Sequence, residues 1–296
     1  MGNILVGITS WTEKTLVDSG LFYPPEVKTP EDRLRFYAGR FPLVEVDSSY
    51  YALPSARNAQ LWAERTPRDF LFDIKAFRLL TQHQTQPSAL PKDLRDALPG
   101  TDKANLYLKD LPPELADEVW ARFRAALEPL RAAGKLGVVL FQFPPWFVCR
   151  PPHLDYLAEC VQRMAGCQVA VEFRNKSWLE ERHRPEVLGA EEKLGIAHVV
   201  VDEPQGGSFS IPAVWQVTNP HLAVVRLHGR NADTWQKKGL PSAAQRFDYL
   251  YGEEELRALA ATIQALADQA EELHALFNNC YRDYATRNAL QLRAML

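Results

Sequence analysis

The chain has 296 residues, of which 46% are hydrophobic and 24% charged, and its formal net charge at neutral pH is −3. These proportions are those of an ordinary globular protein, and the bulk charge gives no reason to expect binding to nucleic acid or to an anionic membrane. The length is sufficient to bury most of the apolar surface in one large domain, so we predict a single domain over residues 1–296.

The cysteines and the hydropathy pattern bear on metal binding and location. The four cysteines form no CxxC pair and show no metal-ligand spacing with histidine, so we predict reduced thiols and no metal site. The chain reaches its first apolar run at Ile4 without a charged leader, and no uncharged stretch is long enough to cross a bilayer. We therefore expect a cytoplasmic protein without membrane contact.

Apolar runs alternate with amphipathic helical patterns along the first part of the chain. Residues 4–8 predict a buried strand, and a helix is predicted where Thr29, as N-cap, precedes a proline and two acidic residues. Further strands are predicted at residues 43–46 and 70–74, separated by a helix that begins near Ser55.

A polar segment rich in proline follows the third strand, at residues 81–113, and contains His83. A segment of this length is typical of a lid or binding loop, although a surface loop without a function would give the same pattern. We therefore expect a long excursion after the third strand and leave its role open.

The alternation resumes after the excursion, where residues 114–133 predict an amphipathic helix. Residues 206–219 show no helical pattern, so the crossover there is the least regular part of the prediction. The remaining strands are predicted at residues 136–141, 169–174, 196–201, 223–230 and 273–277.

Eight strands that alternate with helices within one domain predict a parallel sheet covered by helices on both faces. The fold class is therefore α/β, and a single (β/α)₈ TIM-like barrel accounts for all eight strands. An open doubly wound sheet is the alternative, but no GxGxxG or Walker sequence follows any strand, so no nucleotide cofactor is predicted.

Polar side chains concentrate at the predicted strand ends. In a TIM barrel the carboxyl ends of the strands form one mouth, where active sites lie. A barrel needs apolar layers for packing, so this much charge at one end favours a ligand site over a structural ion-pair network. The predicted site residues at this mouth are Trp11, Glu45, Asp47, Lys75, Gln142, Glu172, Arg174, Asp202, Arg226, His228, Arg230, Asn278, Asn279 and Tyr281.

The stretch at residues 223–230 carries a basic residue at every second position near its end. In an extended strand Arg226, His228 and Arg230 point the same way at spacings of roughly 6 to 7 Å. Barrels commonly bind phosphate close to the seventh strand, so we predict an anion clamp that includes Arg174. Pairing of the arginines with acids elsewhere in the fold is the alternative.

Glu172 is the predicted general acid or base, because both of its sequence neighbours are apolar. The alternative role for this carboxylate is to hold Arg226 or Lys75. His228 is predicted to assist by moving a proton or bonding a substrate oxygen, although a lone histidine is more often structural. Lys75 is predicted to pair with Glu45 or Asp47, in preference to forming a Schiff base.

The aromatic residues at the predicted mouth, among them Trp11 and Tyr281, allow two interpretations. They could stack against a sugar or a base, but aromatic side chains are also the ordinary material of a core. The side-chain amides at the mouth, those of Gln142, Asn278 and Asn279, are predicted to orient polar groups of a ligand.

Taken together and in order, six segments resemble the successive signatures of the YecE-like family, domain of unknown function 72 (DUF72). The match spans almost the whole chain. The resemblance implies a TIM-barrel fold and no particular activity. Two positions differ from the usual pattern of the family, which often has asparagine at position 47 and histidine at position 280, where this chain has Asp47 and Cys280. The six segments are residues 7–11, 44–51, 140–145, 170–178, 226–230 and 277–281.

The sequence thus predicts an enzyme of hydrolase or isomerase type that acts on a small anionic substrate, phosphorylated or carboxylated, at the barrel mouth. A nucleic-acid-binding protein is the competing class, in which the same arginines contact phosphates, but the net charge disfavours it. A ligand-binding barrel without catalysis is the third class. The sequence does not define the oligomeric state.

Overall fold

Eight parallel strands close into a barrel in which each strand pairs with the next and the last pairs with the first. The computed structural model describes residues 2–100, 103–206, 210–240 and 242–296, and every statement below concerns these residues. The predicted α/β barrel is therefore confirmed. The strands are β1 (Asn3–Ile8), β2 (Leu43–Val46), β3 (Leu71–Lys75), β4 (Leu136–Gln142), β5 (Gln168–Glu172), β6 (Ile196–Asp202), β7 (Leu222–Leu227) and β8 (Glu272–Phe277).

Helices surround the barrel, and their ends follow local sequence signals. As predicted, Thr29 caps a helix: its Oγ1 accepts from the backbone N–H of Asp32 at 3.1 Å, and the Asp32 carboxylate accepts from the Thr29 N–H at 3.0 Å. The helices are α1 (Lys14–Ser19), α2 (Pro30–Ala38), α3 (Ala56–Glu64), α4 (Lys92–Asp96), α5 (Pro113–Ala132), α6 (Pro151–Arg163), α7 (Arg184–Leu194), α8 (Ala232–Trp235), α9 (Glu253–Ala267) and α10 (Tyr284–Arg293).

The two connections that gave the least regular patterns contain little repeating structure. Between β3 and α5 the described residues form α4 and two 3₁₀ turns, and Thr85 and Leu106 make a short antiparallel bridge. The described residues between β6 and β7 contain no helix, as the sequence pattern predicts. Positions 101, 102 and 207–209, which belong to these predicted segments, lie outside the described residues. No helix in the described part of the chain has the length and apolar character needed to cross a membrane.

The interior of the barrel holds a small apolar cluster between two charged layers. Because side chains alternate along a strand, Leu222 and Val224 share the face of Arg226, and Ala170 shares that of Glu172. The full interior cluster is Val138, Leu140, Ala170, Ala197, Val199, Val201, Leu222 and Val224. A much larger apolar cluster fills the layer between the strands and the helices.

The charged layer at the amino-terminal end of the barrel is built around a buried histidine. His274 Nδ1 lies 2.9 Å from Asp73 Oδ2, and its Nε2 lies 2.9 Å from Glu272 Oε1. Burial by itself would lower the pKa of His274, but the two carboxylates outweigh it and raise the pKa to about 9. The histidine is therefore an imidazolium at neutral pH, held between two acids.

Gly137 of β4 has no side chain, and the space that a Cβ would fill is occupied by this charged layer. A Cβ at position 137 would lie 2.3 Å from Asp73 Oδ1 and 3.1 Å from His274 Cε1. We expect Gly137→Ala to destabilise the protein by about 1–3 kcal/mol, the usual cost of forcing an extra methyl into a packed interior. Urea denaturation measures this, with Gly189→Ala in α7 as the control, since a Cβ there meets nothing within 4 Å. Equal stability of both variants would show that the layer has room to adjust.

Candidate active site

The charged layer at the carboxyl-terminal end is organised around Arg226, whose side chain lies between two carboxylates. Its Nε and Nη2 donate to Glu45 at 2.9 and 2.7 Å, and its Nη1 donates to Glu172 on the opposite side of the barrel. All three side chains are at most 1% exposed. Arg226 therefore forms ion pairs with Glu45 and Glu172. Pairing with acids of the protein is the alternative to binding a ligand anion that the sequence left open for this arginine.

The two carboxylates differ in acidity although they share the same arginine. Burial raises the pKa of Glu45 to about 7, because the attraction of Arg226 only partly offsets the loss of solvent. Burial would also raise the pKa of Glu172, but Arg226 and His228 together hold it well below its usual range. Glu172 is thus a permanent carboxylate, and Glu45 is the group that can exchange a proton near neutral pH.

Glu172 also accepts hydrogen bonds from two neighbours that the sequence placed at the mouth. Gln142 Nε2 donates to its Oε1 at 2.7 Å, and Arg174 Nη1 lies 3.2 Å from the same oxygen. The same Arg174 nitrogen donates to Glu203 Oε2 at 2.9 Å. Glu203 is buried directly after β6 and was not among the predicted residues.

His228 lies beneath the mouth as a neutral imidazole. Burial lowers its pKa to about 4, against the opposing attraction of Glu172. Thr9 donates its hydroxyl to Asn278 Oδ1 at 2.6 Å, so the Asn278 amide nitrogen donates to His228 Nδ1 at 2.6 Å. This places the imidazole proton on Nε2, which lies 3.4 Å from Glu172 Oε1. A chain of polar contacts thus runs from Thr9 to Glu172.

A cavity of about 140 Å³ opens above this chain of contacts. Its walls come from the ends of β1, β2 and β8 and from the 3₁₀ turn Ala243–Phe247 that follows β7. Phe247 also covers His228, with ring centroids 6.2 Å apart. Glu172 and His228 lie below the cavity and are not part of its wall. The lining residues are Thr9, Ser10, Glu13, Asp47, Ala244, Phe247, Asn278 and Cys280.

Asp47 of the cavity wall forms an ion pair with Lys75, whose Nζ lies 2.7 Å from Asp47 Oδ1. The lysine side chain is 11% exposed and the aspartate 32%, so both are more accessible than the buried triad of Glu45, Glu172 and Arg226. Lys75 also lies 4.8 Å from the ring centroid of Tyr50, and Arg78 lies 5.3 Å from the same centroid. Pairing with Asp47 is the role that the sequence favoured for Lys75.

The structure does not bring Arg230 to this centre, in contrast to the expectation that it shares a face with Arg226 and His228. The strand ends at Leu227, and Gly229 has φ +85°, a left-handed conformation that breaks the alternation of side chains. Arg230 instead pairs with Asp202 at 2.7 Å and Glu255 at 3.0 Å.

Asp202, Asn279, Trp11 and Tyr281 also lie outside the central network. Asp202 accepts the Tyr251 hydroxyl at 2.6 Å. Asn279 bonds the Tyr249 carbonyl and Asn288, both at 2.9 Å. Trp11 is buried against Trp62 and Phe72, and the Tyr281 ring lies 5.8 Å from that of Tyr284. Of the predicted site residues, the structure therefore groups Glu45, Asp47, Lys75, Gln142, Glu172, Arg174, Arg226, His228 and Asn278.

Several residues of the cavity and of the buried network below it were not predicted from the sequence, and only some of them carry a sequence signal. Thr9 and Glu203 are polar residues directly after β1 and β6, on the interior face by alternation, so position alone marks them. Phe247 comes from a stretch without periodicity, and no sequence signal identifies it. Within the ranges that the structure describes, no cluster of three or more His, Cys, Asp or Glu side chains is arranged to hold a metal ion.

Comparison with known proteins places the chain in a family. The family model described as "Protein of unknown function DUF72" matches residues 5–296. The UPF0759 protein YunF of Bacillus subtilis (strain 168) is 32% identical over 295 residues, covering 99% of this chain and 94% of that protein. The crystal structure of a DUF72 family protein from Enterococcus faecalis V583 has a TM-score of 0.80 at 26% identity and covers 99% of this chain and 95% of its own. One from Thermotoga maritima MSB8 has a TM-score of 0.77 at 30% identity, with coverage of 99% and 98%. The chain therefore belongs to the DUF72 family, a group of barrel proteins of unknown function.

Proposed function

We propose that the protein is an enzyme that acts on a small substrate bearing a carboxylate or phosphate group, bound in the cavity at the mouth of the barrel. The observation that carries the proposal is the position of this cavity directly above a chain of polar contacts that ends in a buried carboxylate. Buried charges and a buried neutral histidine are costly to maintain, and such arrangements concentrate at reaction centres.

Lys75 is the cation that receives the anionic group of the substrate. The Arg226 guanidinium donates its hydrogen bonds to Glu45 and Glu172, and Arg174 donates to Glu172 and Glu203. Lys75 pairs with Asp47, which lines the cavity, and Asp47 is the one carboxylate that it meets among the described residues. An ammonium has three donors, so it can bind a substrate oxygen while it keeps this ion pair.

Orientation of polar groups is the role of the buried layer below. Thr9 and Asn278 face the cavity, and His228 and Glu172 hold them in place beneath the substrate. His228 is buried and does not line the cavity, so it acts through Asn278 as a positioning residue. Hydrolysis and isomerisation both need a proton transfer at a substrate that is held in one orientation. His83 of the excursion packs against Tyr50, with ring centroids 5.1 Å apart, and Tyr50 also contacts Lys75, so the excursion is proposed to cover the bound substrate.

A thermal-shift screen of the purified protein against sugar phosphates, small organic acids and short oligonucleotides tests the substrate class. A ligand at about a hundredfold its Kd adds about 2.7 kcal/mol of stability, which raises the Tm of a domain this large by roughly 5 °C or more. We expect a small carboxylate or phosphate to give this shift and to be turned over, as followed by NMR of the ligand. Lys75→Met is expected to abolish the shift, and His228→Asn to keep it while turnover falls at least a hundredfold.

The matched control is Lys14→Met, because Lys14 is also paired with an aspartate, but that aspartate does not line the cavity and the Lys14 side chain is 84% exposed on α1. It should leave the thermal shift unchanged. A shift that survives in Lys75→Met would place the ligand elsewhere. Stabilisation by oligonucleotides alone would replace the enzyme with the nucleic-acid-binding class, and binding without turnover of any hit would leave a ligand-binding barrel.

A further inference from the structure

A second cleft lies on the outer side of the mouth, between the loops that follow β6 and β7 and helix α9. Its volume is about 580 Å³, within the usual range for small-molecule sites. None of its residues lines the cavity above His228. The lining residues are Asp202, Glu203, Pro204, Gln205, Ala213, Trp215, Arg230, Ala232, Ala258, Leu259 and Thr262.

Each charged side chain that lines the cleft forms an ion pair with another residue of the protein. Arg230 makes a two-point contact with Asp202, with Nε–Oδ2 and Nη2–Oδ1 distances of 3.0 and 2.7 Å, and donates to Glu255 at 3.0 Å. Glu203 is bound by Arg174 at 2.9 Å and by the backbone N–H of Ile211 at 2.8 Å. These planar polar groups are fixed in position and offer donors and acceptors without a large excess of either charge. A neutral polar ligand fits this surface better than an ion of either sign.

Trp215 supplies an aromatic wall to the cleft. The side chain is half-buried and packs against the large apolar cluster. Pro204, Ala213 and Leu259 add apolar surface beside it. An indole that is buried in part and lines a cleft with the rest of its surface suits a ligand with both a C–H face and hydroxyl groups.

We propose that this cleft binds a neutral sugar ring. The C–H face of the ring packs on the Trp215 indole, and its hydroxyl groups bond the Arg230 guanidinium and the Asp202 carboxylate, beside the fully buried Glu203. Thr262 adds a hydroxyl that donates to the Ala258 carbonyl at 3.0 Å and therefore presents its lone pairs to the cleft. The site is separate from the proposed catalytic cavity and does not depend on its chemistry.

Saturation-transfer NMR of the full chain with D-glucose, D-xylose, maltose and cellobiose tests the proposal. We expect at least one of the four to receive saturation at its ring C–H protons, with a Kd in the millimolar range. Trp215→Ala should weaken that binding at least tenfold. Ala258→Trp, which fills the cleft from an exposed position on α9, should do the same and guards against a folding defect in the first variant.

Trp146→Ala is the control, because Trp146 is 44% exposed on the loop after β4 and does not line the cleft. His228→Asn should also bind the sugar normally, which separates this proposal from the proposed enzyme activity. Absence of saturation transfer from all four sugars would overturn the inference. Undiminished binding in both Trp215→Ala and Ala258→Trp would overturn it too, as would a preference for citrate or inorganic phosphate over the sugars in this cleft.

Discussion

Replacing Arg226 with methionine is expected to destabilise the protein by about 3–5 kcal/mol, the usual cost of removing one partner from a buried ion pair. The substitution leaves Glu45 and Glu172 buried with no guanidinium between them. Both carboxyls would then have a pKa above their unfolded value. Their contribution to stability is therefore present at low pH and is lost as the pH rises through the folded pKa, so the variant should be more stable at pH 5 than at pH 8.

Urea denaturation at the two pH values measures both effects. Arg257→Met is the control, since Arg257 and Glu253 form a pair that is 65% and 64% exposed and contributes little. The triple variant Arg226→Met, Glu45→Gln, Glu172→Gln should recover part of the loss at pH 8, because neutral amides replace the unpaired charges. If Arg226→Met lowers the free energy of unfolding by less than about 1 kcal/mol, water reaches Glu45 and Glu172 and the two carboxylates are not buried as described.

Raising the pH through 9 is expected to remove about 3 kcal/mol of stability through His274, whose pKa is about 9 in the folded protein and has an ordinary value of 6.5. Because the folded pKa is the higher one, this stability is complete below 6.5 and is lost as the pH rises towards 9. Glu45, with a pKa of about 7, loses its contribution at lower pH, so the decline between pH 7 and 9 belongs mainly to His274.

The free energy of unfolding measured across pH 6 to 10 gives this curve directly. In the double variant Asp73→Asn, His274→Gln the imidazolium and its buried partner are gone and only the partly exposed Glu272 remains, so the curve should be nearly flat between pH 7 and 9. A wild-type curve that is flat in that interval, or a double variant with the wild-type slope, would show that His274 is neutral in the folded protein.

The barrel could be predicted from the sequence because its signals are local. Near-continuous apolar runs mark strands that are buried on both faces, and capping residues such as Thr29 mark where helices begin. The interior cluster and its charged layers follow from strand alternation, which places Glu45, Glu172 and Arg226 on the inner face.

The partners within the site could not be predicted, because they come from strands far apart in the chain. Arg226 meets Glu45 across 181 positions and Glu172 across 54. Alternation does explain why Asn278 reaches the centre and Asn279 does not. It fails at Arg230, where a single left-handed glycine turns the chain away from the strand direction. Phe247 and Trp215 lie in irregular segments whose paths depend on tertiary packing.

A long-range ¹H–¹⁵N NMR titration of the histidine side chains measures the protonation of His228 in the folded protein, with His228→Asn used to assign its signal. We predict a neutral imidazole with the proton on Nε2 at pH 7, titrating only near pH 4. We also predict that Asn278→Ala changes this signal, because the chain of contacts from the cavity reaches the imidazole at Nδ1. An imidazolium at pH 7, or a signal insensitive to Asn278→Ala, would contradict the proposed chain of polar contacts between the cavity and Glu172.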